Sequence, residues 1–77
     1  MDIQEFITNL AGQFEETELS EFQASTQIRD LDEWDSFLAL SIMAMIKSEY
    51  DVAVTAQEMR DAQTIQDLFD IVNSHLQ

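Results

Sequence analysis

Residues 35–50 read DSFLALSIMAMIKSEY and contain the longest nearly apolar run of the chain. Asp35 or Ser36 offers a side-chain oxygen that can accept from the free N–H groups of a helix start. Almost every position from Phe37 to Ile46 is apolar, with Ser41 as the exception. A helix that is apolar nearly all round is either buried or keeps one face for a partner. We therefore predict a helix from Ser36 to Tyr50, and full burial is difficult in so short a chain.

The segments before this helix predict another helix and a long loop. Residues 2–14 (Asp2 to Phe14) have apolar residues at helical spacing, which predicts a first helix. The stretch Glu15–Asp35 is rich in Asp, Glu, Ser and Thr and predicts an ordered loop with a short helical turn near Glu18–Phe22. We expect four apolar side chains to pin this loop: Leu19, Phe22, Ile28 and Leu31.

Two capping patterns follow the central helix. Thr55 and Glu58 have the spacing of a capping box and predict a short third helix, Ala56–Asp61. Thr64 and Asp67 repeat the pattern, and a core-facing stripe then predicts a fourth helix. The predicted fold is an all-α four-helix bundle, with a long ordered loop between helices one and two. We interpret residues 1–77 as a single domain.

Composition excludes several classes of function. The chain has 77 residues, 16 Asp and Glu against 3 Lys and Arg, and a formal net charge of −13. Such a surface repels nucleic-acid phosphates, so we expect no nucleic-acid partner. No segment has a secretory pattern or the length of a membrane span, which favours a cytoplasmic protein. We expect a monomer.

Candidate catalytic and metal sites fail on residue type. The chain has no Cys, and its single His, His75, lies near the end without a positioned nucleophile beside it. A calcium loop starting at Asp30 would need a Gly at its sixth position, where Asp35 stands, and a Glu at its twelfth, where Ser41 stands. We therefore expect no enzyme and no metal site.

Ser36 is the residue of interest, because it lies where an acidic loop meets a helix start. It could serve only as the cap of the second helix. The other interpretation is that it carries a modification, since a helix N-terminus favours an attached phosphate.

At these residues the sequence resembles the acyl carrier protein family over nearly the whole chain. Asp35-Ser36-Phe37 is similar to the family's Asp-Ser-Leu motif, and Glu49-Tyr50-Asp51 is similar to its end of helix two. The resemblance implies 4′-phosphopantetheine, delivered from coenzyme A by a phosphopantetheinyl transferase and attached to Ser36. It also implies that Asp35 helps the transferase to place Ser36 and the metal ion, and that the arm carries an acyl or aminoacyl thioester. The implied partners are a loading ligase or synthase and later enzymes of fatty-acid, polyketide or related biosynthesis.

The chain departs from the family pattern before and after Ser36. Glu33-Trp34 stands where the family often has Gly-Ala, and Trp34 is either a core anchor or a partner contact. Family carboxylates along helix two correspond here to Leu38, Ser41, Lys47 and Ser48. The face formed by Leu38, Ser41, Met45 and Ser48 is uncharged and partly apolar. We therefore predict a specialised, divergent carrier. Its proposed partner-binding residues are Trp34, Phe37, Leu38, Ser41 and Met45. The alternative is that Leu38 and Met45 are merely scattered exposed side chains.

The interior between helices two, three and four is a candidate shelter for an acyl chain. Its predicted lining residues are Leu40, Met43, Ala44, Val54, Met59, Ala62, Ile65 and Phe69. The alternative is plain core packing. Two other functions stay open: a peptidyl carrier of nonribosomal synthesis, and an acidic helical adaptor without a prosthetic group.

Overall fold

The structure is a computed structural model and describes residues 2–76. Within this range the regular elements are all helical: α1 (Ile3–Ala11), α2 (Ser36–Tyr50), α3 (Ala56–Asp61) and α4 (Ile65–His75), with 3-10 turns at Leu19–Glu21 and Ile28–Asp30. This confirms the predicted all-α four-helix fold. The bounds of α2 and α3 are those predicted. No described helix combines the length and the apolarity that crossing a bilayer requires.

Helix α1 is shorter than predicted. Asp2 caps it by accepting from the Gln4 N–H at 3.2 Å, and it ends at Ala11 instead of Phe14. Gly12 is a poor helix former, and the next two amides bond three residues back instead of four. This tighter turn brings Phe14 against Phe22, with ring centroids 4.8 Å apart.

The long loop is ordered because it is fastened to the start of α4. Ile28 N–H donates to the Gln63 carbonyl at 2.9 Å, and Ile65 N–H donates to the Thr26 carbonyl at 3.1 Å. Phe22 and Ile28 are buried as expected, and Leu31 is half-buried. The prediction for Leu19 is wrong, because its side chain is 56% exposed.

The core lies where α1 packs against α2 and α4, and α3 packs against α4. Phe6 is fully buried, with ring centroids 5.9 Å from Tyr50 and 5.7 Å from Phe69. The described residues bury no polar or charged side chain. Their radius of gyration is 11.1 Å, close to the roughly 11.5 Å expected of a compact domain of this length.

Candidate functional site

Asp35 is the residue that caps α2. Its backbone is extended, and its Oδ1 accepts from the Leu38 N–H at 2.8 Å. Ser36 is therefore the first helical residue, and the interpretation of Ser36 as the helix cap is wrong. A carboxylate at this position also interacts favourably with the positive end of the helix dipole.

The Ser36 side chain is exposed and available for chemistry. Its hydroxyl has no hydrogen-bond partner within residues 2–76. The neighbouring Ser36 and Phe37 amides belong to the first turn, where N–H groups have no acceptor inside the helix. A phosphodiester on Ser36 Oγ would meet these amides and the positive end of the dipole. The residues present therefore fit a covalently attached phosphate group.

The segment that leads into α2 is held by Glu33. Its carboxylate accepts from the backbone N–H groups of Glu15 at 3.0 Å, Glu16 at 2.7 Å and Thr17 at 2.5 Å, and from the Thr17 hydroxyl at 2.7 Å. These bonds, led by that of the Thr17 hydroxyl, lower the pKa of Glu33 below its ordinary value of 4.5. The sequence analysis missed this role, because nothing in local spacing links residue 33 to residues 15–17.

A groove of about 590 Å³ opens beside Ser36. Its α2 side includes Asp35, Ala39, Leu40 and Met43, and its α3 side includes Ala56, Met59 and Arg60; Trp34 and Arg29 complete it. Trp34 is half-buried and packs against the core while it also lines the groove. The core-anchor interpretation thus describes part of its surface, and a partner contact of Trp34 stays a prediction.

The predicted apolar docking face of α2 is wrong in its two main residues. Leu38 and Met45 are each only 7% exposed, because they join Ile42 and Ile46 in the stripe that packs on the core. Ser41 lies half-buried beside this stripe. The exposed apolar residues of α2 are instead Phe37, Leu40 and Ala44.

The predicted acyl-pocket residues fall into three groups. Leu40, Met43 and Met59 line the groove, although Leu40 is 63% exposed and lies at its rim instead of in the interior. Ala44 is exposed, so its assignment to the interior is wrong. The remaining four residues do not line the groove and belong to or pack on the core: Val54, Ala62, Ile65 and Phe69.

His75 has a structural contact. Its Nε2 lies 2.9 Å from Glu58 Oε2, which joins the end of α4 to α3. The pKa of Glu58 is lowered chiefly by the Thr55 backbone N–H and also by His75. The pair lies outside the residues that line the groove.

Comparison with known proteins agrees with this geometry. The family model described as the phosphopantetheine attachment site matches residues 5–72, whereas no curated protein matches the chain. The match spans most of α1, the loop that follows it, all of α2 and α3, and most of α4. Its prosthetic group is covalently bound 4′-phosphopantetheine. The chain therefore belongs to the phosphopantetheine attachment site family and is a phosphopantetheine-bearing carrier.

Proposed function

We propose that the chain is an acyl carrier protein whose 4′-phosphopantetheine is attached to Ser36. The observation that carries the proposal is the division of roles at the start of α2. Asp35 satisfies the capping requirement, and the neighbouring Ser36 hydroxyl is left exposed beside the groove. Modification at Ser36 would therefore cost no hydrogen bond within residues 2–76.

In this reaction Ser36 Oγ is the acceptor. It forms a bond to phosphorus as the pyrophosphate bond of coenzyme A breaks, 3′-phosphoadenosine 5′-phosphate leaves, and the transferase takes the hydroxyl proton. The first-turn amides of α2 stabilise the negative charge of the resulting phosphodiester. When bound, the arm supplies a thiol that carries an acyl group as a thioester. Its length and flexibility give the cargo a high effective concentration at partner sites.

Asp35 is proposed to orient Ser36 for the transferase. Its Oδ1 is engaged by the Leu38 N–H, whereas its Oδ2 accepts no hydrogen bond within residues 2–76. The free oxygen is a suitable ligand for the transferase's divalent metal ion. Holding one oxygen in the helix cap fixes the direction of the other, so Asp35 links helix capping to recognition.

Partner enzymes are proposed to contact the exposed apolar pair Phe37 and Leu40, which are 76% and 63% exposed. These side chains flank Ser36, so a partner that receives the arm must cover them. The net charge of −13 favours partners with a basic rim. We also propose that the carrier is cytoplasmic and acts as a monomer. The monomer is supported by the net charge of −13, which opposes self-association.

Intact mass tests the attachment site. The protein is incubated with coenzyme A, magnesium and a broad-specificity phosphopantetheinyl transferase. The parent and Ser48→Ala should each gain one phosphopantetheine, and Ser36→Ala should gain none. Ser48 is the matched control, because it is another exposed serine on α2. A gain on Ser36→Ala, or none on the folded parent, would overturn the assignment.

A further inference from the structure

Cationic side chains are scarce in this chain, and two of them share one groove. The chain has only 3 Lys and Arg, and Arg29 and Arg60 both line the groove beside Ser36. The third, Lys47, lies outside it and is paired with Asp51 at 2.8 Å. The groove is therefore a local concentration of positive charge on a strongly acidic protein.

Both groove guanidinium groups are held by neutral oxygens. Arg29 Nη2 donates to the carbonyls of Met59 and Arg60, at the end of α3. Arg60 Nη2 donates to Gln57 Oε1 at 3.1 Å. Neither guanidinium forms an ion pair with a carboxylate of residues 2–76. Each guanidinium has five N–H donors, so both keep donors that no carboxylate of residues 2–76 occupies.

The rest of the groove lining is largely apolar. Trp34, Leu40, Met43 and Met59 supply the apolar wall. Asp35 also lines the groove, at the α2 end where its carboxylate is part of the helix cap, whereas the arginines lie on the α3 side. A volume of about 590 Å³ falls within the range of small-molecule sites. The complementary ligand has an apolar stem and an anionic end.

We propose that this groove binds an acyl cargo that ends in a carboxylate, the half-thioester of a dicarboxylic acid. Arg29 and Arg60 bind the carboxylate, and the apolar wall contacts the methylene stem. The proposal rests on attachment at Ser36, which places the start of the arm at the groove. Elsewhere the surface repels an anionic cargo, so the arginine pair decides where such a cargo rests. The phosphodiester of the arm offers similar anionic oxygens, and the experiment separates the two sources.

The test compares two cargoes of almost equal shape. The carrier is loaded with glutaryl or with its uncharged amide counterpart, glutaramyl, from the corresponding coenzyme A thioesters, and loading is verified by intact mass. Thioester cleavage by hydroxylamine is then timed, and each rate is divided by that of the same acyl-coenzyme A. We expect the glutaryl thioester to be cleaved about two- to fivefold more slowly than the glutaramyl one, which is the range expected of exposed charge pairs. Salt should reduce the difference.

Three variants identify the residues responsible. Arg60→Gln should remove most of the difference between the cargoes, and Arg29→Lys should reduce it, because the planar fork is lost while the charge stays. Lys47→Gln is the matched control: it makes the same change in net charge outside the groove and should keep the full difference. Circular dichroism verifies that each variant is folded, since Arg29 also holds the end of α3.

The outcomes separate this inference from the proposed function. If the folded parent gains no mass, attachment at Ser36 fails and the inference fails with it. If loading succeeds but the two normalised rates agree, the inference alone is overturned.

Arginine Nε–Hε NMR signals distinguish the source of the anion. Signals that move on conversion to the holo form and no further on glutaryl loading would assign the arginines to the arm's phosphodiester and overturn the cargo assignment. Signals that move on glutaryl loading support it.

Discussion

Leu38 and Leu40 form a matched pair on α2 whose replacement by alanine should have very different consequences. Leu38 is 7% exposed and Leu40 is 63% exposed. Both substitutions, Leu38→Ala and Leu40→Ala, make the same change in intrinsic helix propensity on the same helix. Any difference between the variants therefore measures tertiary packing alone.

The size of the difference follows from burial. Each substitution removes three carbon atoms, and at the buried Leu38 these are worth about 2.4 kcal/mol, at about 0.8 kcal/mol per buried methylene. A residual cavity adds to this, so Leu38→Ala should cost about 3 kcal/mol. Leu40→Ala should stay within about 0.5 kcal/mol of the parent, as surface substitutions usually do. A domain of 77 residues has a stability of about 4–12 kcal/mol.

Urea unfolding followed by far-ultraviolet circular dichroism measures both free energies of unfolding. In thermal melts the loss at Leu38 should lower the Tm by about 12–24 °C. Equal costs for the two variants, or a larger cost at Leu40, would refute the assignment of the buried face of α2. Transfer of cargo from a loading enzyme is the complementary readout. Leu40→Ala should weaken transfer while the protein stays folded.

Three further predictions concern the cap, acid stability and salt. Asp35→Ala should lower the free energy of unfolding by about 1 kcal/mol, because the Leu38 N–H loses its acceptor, whereas Asp35→Asn should keep most of it in urea melts. Glu33 has a pKa below 4.5 in the folded protein, so the unfolded chain binds more protons as the pH falls. The contribution of Glu33 to the free energy of unfolding is therefore full above pH 4.5 and is lost as the pH falls through the lower folded pKa. The Tm advantage of the parent over Glu33→Gln should therefore shrink on acidification; a constant gap would contradict this. Sodium chloride should raise the Tm, because it screens the repulsion within a chain of net charge −13. It weakens few attractive contacts in return, since only two ion pairs are described among residues 2–76. A flat or falling Tm would count against this prediction.

The helices that could be predicted are those with local signals. Thr55 and Thr64 open α3 and α4 with reciprocal capping boxes, as their spacing to Glu58 and Asp67 predicts. Such patterns involve residues three apart, so they act before any tertiary contact forms. The end of α1 was harder to predict, because Phe14 continues the helical spacing although the backbone has already tightened after Gly12.

The orientation of α2 shows where sequence patterns fail. The helix is apolar on most sides, so periodicity does not distinguish the buried side of Leu38 and Met45 from the exposed side of Phe37 and Leu40. Packing on the shared core decides the matter, since Leu38, Ile42, Met45 and Ile46 join the cluster of buried residues and Phe37 and Leu40 do not. For this reason the predictions that Leu38 and Met45 are exposed and that Ala44 lies in the interior are wrong.

Local chemistry was therefore enough to predict the helix order, the exposed start of α2 and the Asp35–Ser36 pair, because each depends on neighbours within about one helical turn. Three other features depend on residues far apart in the chain: the buried side of α2, the binding of residues 15–17 by Glu33, and the meeting of Arg29 with the end of α3. No short-range pattern encodes such contacts. They exist only once the long loop is fastened to α4 and the helices pack, so the tertiary structure alone creates the groove beside Ser36.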